Sequence, residues 1–172
     1  MKAIRDLVRD IPDFPKPGIL FKDITPLLAD SASFKSVIDT LKERYADKKI
    51  DAVAGIEARG FVFAAAVGYA LGAGVVMIRK PGKLPYKTFK QTYSLEYGED
   101  AIEIHQDGFQ PGQNIILIDD VLATGGTMAA ATSLIQNNFK VNLVEVAFIL
   151  ELDFLNGREK LKGLPIHSML NF

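Results

Sequence analysis

The stretch IILIDDVLATGGTMAAA, residues 115–131, decides the fold. Its four branched aliphatic residues, Ile115 to Ile118, have the continuous apolar character of a strand buried on both faces. Asp119 and Asp120 end that strand, and a loop with Gly125 and Gly126 opens onto Met128 to Ala131, small residues that form helix readily. In open α/β sheets, ligands bind outside the carboxyl ends of such strands. Gly125 and Gly126 let the backbone approach an anion closely, while Thr124 and Thr127 add hydroxyl donors to the free N–H groups and positive dipole end of the helix. A phosphate fits there. The two carboxylates beside it repel a second phosphate but accept hydrogen bonds from vicinal sugar hydroxyls, so the implied ligand is a ribose 5-phosphate. The spacing is neither G-x-G-x-x-G nor that of the P-loop, which removes the usual support for a dinucleotide or a triphosphate.

On the amino-terminal side of this stretch, Ile4, Leu7 and Val8 predict a short first helix, which Pro12, Pro15, Pro17 and Gly18 prevent from continuing. Residues 11–24 are expected to form an irregular hood, and Thr25 with Pro26 reads as an N-cap followed by proline at the first helical position. Phe34, Val37, Ile38, Leu41 and Tyr45 recur at helical spacing behind Ser31 and Ser33, either of which suits the cap. Strand then alternates with helix: a strand at 51–54, a helix at 60–71 and a strand at 75–79. A polar excursion over 80–91 follows, then strands at 93–97 and 101–105. The strand at 114–119, a helix at 125–137 and strands at 141–150 and 166–169 complete the set. The pattern predicts an α/β fold, a mainly parallel twisted sheet with helices on both faces. No linker or repeat divides the chain, so one domain spans 1–172, with 1–30 as first helix and hood and 80–97 as a flap.

Composition narrows the function. The chain has 172 residues, 20 Lys plus Arg against 21 Asp plus Glu, a net charge of −1 and 48% hydrophobic residues. This size supports a core without disulfides or structural metal. The absence of cysteine excludes thiol catalysis and Cys-based zinc sites and suits a reducing cytosol. The two histidines, His105 and His167, are too few for a multi-His metal site and read as structural. Near-neutral charge without basic tracts argues against nucleic acid as a partner. Residues 60–78 carry no charge, but Gly72 and Gly74 interrupt them, so a buried helix followed by a buried strand is the better reading than a membrane span.

The 115–127 string resembles the diphosphate-sugar signature of the type I phosphoribosyltransferase family. Four further segments make the chain similar to the adenine-specific members: FPKPGILFKDI at 14–24, EARGF at 57–61, RKPGKLP at 79–85 and YSLEYG at 93–98. The resemblance covers essentially the whole chain. Ala58 stands where the family commonly has Ser, and Lys22 where Arg is common.

The resemblance implies transfer of 5-phosphoribosyl from phosphoribosyl diphosphate to adenine, giving AMP and diphosphate with Mg²⁺, by a cytoplasmic homodimer. It implies that Asp119 and Asp120 hold the ribose, and Ala123, Thr124, Gly125, Gly126 and Thr127 the 5-phosphate. Glu57, Ala58, Arg59, Arg79, Lys80 and Lys83 are then diphosphate residues, with the flap's early cations reaching across the dimer. By the same resemblance Glu96 manages the purine proton, Tyr97 steadies the closed flap, and Arg59 joins them in catalysis. Phe14, Leu20, Lys22, Val121 and Leu122 are adenine residues. Mg²⁺ is held mainly by substrate diphosphate and water, without direct protein ligands. Three rival readings are a phosphoribosyl-diphosphate sensor that binds nucleic acid, an enzyme for 6-oxopurines or pyrimidines, and a plain interaction module. The first lacks a basic face or added helix-turn-helix, the second conflicts with the hood at 14–24, and the third leaves 119–127 unexplained.

Overall fold

The computed structural model describes residues 4–94 and 98–172. Its contacts form two compact units, Met1–Glu43 and Arg44–Phe172.

In the first unit a 3-10 helix, Ile4–Leu7, leads into strand β1, Arg9–Pro12, which pairs antiparallel with β2, Leu20–Asp23. The hood is thus a regular hairpin where sequence predicts irregular chain. Its register sets Arg9 opposite Asp23 and Asp10 opposite Lys22, and both pairs are ionic, at 2.7 and 2.6 Å. Helix α1, Thr25–Ala29, has Pro26 in its first turn, but Ile24 rather than Thr25 occupies the N-cap. The Asp23 carboxylate takes over the capping, accepting the Thr25 N–H at 2.9 Å and the Thr25 hydroxyl at 2.8 Å. Helix α2, Ser31–Tyr45, starts one residue after Asp30, whose carboxylate accepts the Ser33 N–H at 2.8 Å. Asp30 therefore does the work expected of Ser31 or Ser33.

The second unit is built on a five-stranded sheet of order β4-β3-β7-β8-β9, parallel throughout. The strands are β3 (Ala52–Ile56), β4 (Gly74–Ile78), β7 (Asn114–Leu122), β8 (Asn142–Glu151) and β9 (Ile166–Asn171). Helix α3, Gly60–Leu71, connects β3 to β4, and helix α4, Gly126–Asn138, connects β7 to β8. These crossovers run in opposite directions from the adjacent strands β3 and β7. Right-handed connections therefore place α3 on one face and α4 on the other, and leave a switch point between the carboxyl ends of β3 and β7. The α4 face holds the main core, with Ile115, Leu117, Met128, Leu134, Ile135 and Phe148 in one buried cluster.

Two antiparallel strands, β5 (Thr88–Ser94) and β6 (Glu99–His105), form a separate ribbon beside α4. Phe89 and Phe109 meet Phe139 edge-on at 5.5 and 5.2 Å. Arg79, just beyond β4, exchanges main-chain hydrogen bonds with Glu103 at 2.9 and 2.7 Å.

Several strands differ from expectation. β5 begins at Thr88, inside the expected polar excursion over 80–91, because Thr88 to Gln91 pair with Ile102 to His105 of β6; residues 95–97 of the strand expected at 93–97 lie outside the described residues. β4 is an edge strand: Val75 and Met77, 45% and 46% exposed, lie on the face toward α3, where Val75 packs against Gly68, while Val76 and Ile78 turn to the main core on the opposite face. β7 does not stop at Asp119 but continues to Leu122, since the long strand β8 goes on pairing with it to Glu151 after β3 has ended. The helix-then-strand reading of 60–78 holds, and among the described residues no helix is long and apolar enough to cross a membrane.

Candidate active site

At the switch point the loop after β3 and the end of β7 meet. A Cβ on Gly60, the first residue of α3, would stand 2.8 Å from Asp119 Oδ1 and 3.0 Å from the Ile118 carbonyl, so only glycine admits β7 this close. Half-buried Asp119 lies over the start of α3, where the helix dipole favours a carboxylate, and its Oδ1 accepts the Asp120 N–H at 2.9 Å. Asp120 points the other way along the strand and is 4% exposed. Arg59 brings its Nε to 2.7 Å from Asp120 Oδ2, yet that oxygen has no hydrogen bond among the described residues. It is held by charge without a directed donor.

This arrangement controls both carboxyls. Burial, and then the neighbouring Asp120 charge, push the Asp119 carboxyl well above the ordinary range. Burial raises Asp120 too, against the opposing pull of Arg59. The pair is costly to keep ionised and suited to meet hydroxyl donors.

Beyond the pair, Asp119, Val121, Ala123, Thr124, Gly125, Gly126 and Thr127 line a single cleft. Gly125, at φ +76°, is the N-cap of α4, and among the described residues no side chain caps this helix, so its first N–H groups border the cleft without a side-chain acceptor. Met128 and Phe148 also line it. Neither carries a polar signal by which sequence reasoning finds a ligand residue; Phe148 comes into range only because β8 pairs with β7 opposite Asp119. Leu122 borders the cleft but is 1% exposed and belongs to the core cluster, whereas Val121 is half-buried.

Arg79 and Lys80 are held in ion pairs. Glu57 Oε2 accepts Arg79 Nε and the Lys80 N–H, each at 3.0 Å. Burial raises the Glu57 carboxyl, but the Lys80 N–H and the Arg79 guanidinium outweigh it and hold it below the ordinary range. Arg79 also donates to the Lys83 carbonyl at 3.1 Å, and Lys83 itself is exposed. Lys80 is paired with Asp100 and lies 3.4 Å from the Tyr93 hydroxyl, which in turn stands 3.3 Å from the Thr127 hydroxyl. Asp100 has no counterpart in the sequence reading; it arrives beside Lys80 through the β5–β6 hairpin, a long-range pairing. Ala58 follows a cis peptide bond from Glu57.

In the first unit, Phe14 is 51% exposed and meets Phe21 edge-on at 5.2 Å, so one face of its ring is available to an aromatic ligand. Leu20 is 46% exposed, and Lys22 is paired with Asp10. Glu96 and Tyr97 lie outside the described residues.

Comparison with known proteins gives a concordant picture. The phosphoribosyl transferase domain family matches residues 23–161. An adenine phosphoribosyltransferase of Geotalea uraniireducens is 54% identical over 172 residues, covering 100% of both chains. The crystal structure of the adenine phosphoribosyltransferase of Thermoanaerobacter pseudethanolicus superposes with a TM-score of 0.94 at 47% identity, covering 98% of each chain. That of Saccharomyces cerevisiae, complexed with an imino-altritol bisphosphate and adenine, does so with 0.91 at 42% identity, covering 97% of this chain and 96% of that one.

Proposed function

The chain belongs to the phosphoribosyl transferase family, and from that premise we propose how its own residues carry out the transfer of 5-phosphoribosyl from phosphoribosyl diphosphate to adenine, giving AMP and diphosphate. In this reaction the bond from ribose C1 to diphosphate oxygen breaks, the bond from C1 to the purine nitrogen forms, and that nitrogen loses its proton. The transition state separates an oxocarbenium-like ribose from a highly charged leaving group, so stabilising both ends at once is the catalytic task.

Asp119 and Asp120 accept hydrogen bonds from the ribose hydroxyls, and their negative charge lies on the side of the developing cation. Ala123 to Thr127, with the start of α4, hold the 5-phosphate. Ala58, Arg59, Lys80 and Lys83 take the diphosphate, with Glu57 and Arg79 bracing that loop through their ion pair. Glu96 manages the purine proton and Tyr97 steadies the flap. The exposed ring of Phe14 offers a stacking face. The main chain of Leu20 to Lys22 offers the edge of β2 that β1 leaves unpaired, in place of the fully free backbone an irregular hood would have supplied. The family match runs across the boundary at Glu43, which supports reading both units as one domain.

Mg²⁺ takes oxygen ligands and keeps several waters. The Asp119 and Asp120 carboxyls are turned to the Asp120 N–H and to Arg59, so this donor set suits an ion held mainly by diphosphate and water. When bound, the ion neutralises charge on the leaving group. A homodimer is supported by apolar side chains exposed on α3 and β4: Val62, Tyr69, Val75 and Met77. β4 runs directly into Arg79 and Lys80, so two-fold pairing at this edge brings cations toward a neighbour's diphosphate.

The observation that carries the reading is the 2.7 Å ion pair joining Arg59 of the loop after β3 to Asp120 of β7, which fuses a diphosphate loop to a ribose loop. A turnover assay with phosphoribosyl diphosphate, a panel of bases and Mg²⁺ or chelator tests it. The expected result is metal-dependent AMP formation, a preference for adenine over hypoxanthine of at least roughly 10³, and a Glu96→Gln variant that loses turnover more than substrate affinity. Full activity in chelator, or wild-type turnover by Glu96→Gln, would refute the corresponding role.

A further inference from the structure

The phosphate loop has a second wall. A 3-10 helix, Gly157–Leu161, presses against it so closely that a Cβ on Gly125 would collide with the Gly157 carbonyl. A Cβ on Gly157 would in turn collide with the Ala123 carbonyl and stand 2.8 Å from Leu122 Cδ1. These contacts fix the short helix against the loop. Three residues beyond Gly157, Lys160 brings its Nζ to 3.8 Å from where a Cβ on Gly126 would stand.

The helix carries two cations with different commitments. Arg158 donates from Nε and Nη2 to both oxygens of buried Glu151, at 2.6 and 2.7 Å, and is thereby occupied. Lys160 is exposed, and its ammonium makes no ion pair or hydrogen bond among the described residues. The loop needs such a charge. A phosphate monoester carries nearly two negative charges at neutral pH, while the cleft residues provide N–H groups, hydroxyls and the carboxylate of Asp119, but no cation.

We infer that Lys160 is a 5-phosphate-binding residue, its ammonium pairing with the phosphate of both the ribosyl donor and AMP. The inference rests on the reading of Ala123 to Thr127 as the phosphate loop. The phosphate does not change during the reaction, so this contact binds ground and transition states alike. It acts on donor KM and AMP affinity more than on kcat.

Calorimetric titration of the full-length protein with AMP, and with adenosine as the phosphate-free control, tests it. Lys160→Met is expected to weaken AMP binding by roughly tenfold and leave adenosine within twofold, with most of the loss restored by Lys160→Arg. The loss should shrink as salt rises, as expected for a contact at the solvent edge. Lys160→Gln, equally free of charge, should repeat the result if the Met variant is poorly behaved. AMP affinity within twofold of wild type in both variants, or an equal loss for adenosine, would overturn the inference. Thr127→Val in the same titration separates the two levels. If it weakens AMP while Lys160→Met does not, only the lysine assignment fails; if neither does, the phosphate loop itself is misplaced.

Discussion

The Tyr93 hydroxyl stands 3.3 Å from the Thr127 hydroxyl, joining the ribbon strand β5 to the first turn of α4. Tyr93 is also 3.1 Å from Asp100 Oδ2, so its proton and lone pairs have partners on both sides. It orients Thr127 without belonging to the cleft lining.

Tyr93→Phe is accordingly expected to raise the donor KM about fivefold, the worth of one hydrogen bond, with a smaller change in kcat. If the effect passes through Thr127, adding Tyr93→Phe to Thr127→Val should change little further. Independent, multiplying effects in steady-state kinetics would show that Tyr93 acts elsewhere.

Gly157→Ala places a methyl group against the Ala123 carbonyl, and that neighbour is backbone with no rotamer to escape into. A stability loss of about 1–3 kcal/mol is expected, read as a lower urea midpoint with unchanged slope. AMP affinity should fall with it, because the loop must move. A variant with wild-type midpoint and affinity would show that the short helix is not seated on the loop.

Asp119→Asn should make the unliganded protein more stable while impairing it. The folded-state pKa is raised, so the native state binds the proton more tightly than the unfolded chain, and ionisation at neutral pH costs stability. Thermal unfolding of the variant should occur at a higher temperature than wild type near pH 7, and the gain should fade as pH falls through the carboxylate range. A lower melting temperature at neutral pH would contradict the burial argument.

Acid should remove stability in two steps. Burial depresses the His167 pKa, so the unfolded chain takes up that proton first and stability declines as pH falls below roughly 6.5. Burial opposes the Glu145 charge, but Arg44 at 2.6 and 2.7 Å and the Tyr45 hydroxyl at 2.7 Å outweigh it and lower its pKa. Its contribution is present above roughly 4.3 and disappears as pH falls through the folded value. Denaturation curves across pH should lose the upper step in His167→Asn and the lower one in Glu145→Gln; unchanged profiles would refute the assignments.

What was legible in the sequence was local. Residues 60–71 read as helix because an uncharged run ends at Gly72, which caps it at φ +67°. The turn from strand to helix at Ala123 to Thr127 read correctly because its glycines and the small residues of the following helix are contiguous, with Gly125 at the N-cap of α4. What escaped was set by distant partners. Pro15 and Pro17 signal a break, yet the flanking strands pair across it, a choice made by register between Arg9 and Asp23 and not by either strand alone. The extension of β7 past Asp119 depends on the length of β8. The pairing of Glu57 with Arg79 was not visible in the sequence, because adjacent parallel strands bring their ends together. Lys160 and Gly157 carried no motif at all; their place against the loop comes from tertiary packing.

The claim on which the rest depends is that Asp119 and Asp120 read sugar hydroxyls beside a phosphate loop. Its most direct test is the dissociation constant of AMP against that of 2′,3′-dideoxy-AMP, for the wild-type protein and the Asp119→Asn/Asp120→Asn double variant. Hydrogen bonds to a charged acceptor are worth about 1.5–3 kcal/mol, so wild type should bind the dideoxy nucleotide at least roughly tenfold more weakly, and the double variant should nearly erase that difference. Equal affinity of wild type for both nucleotides, or an undiminished gap in the double variant, would contradict it.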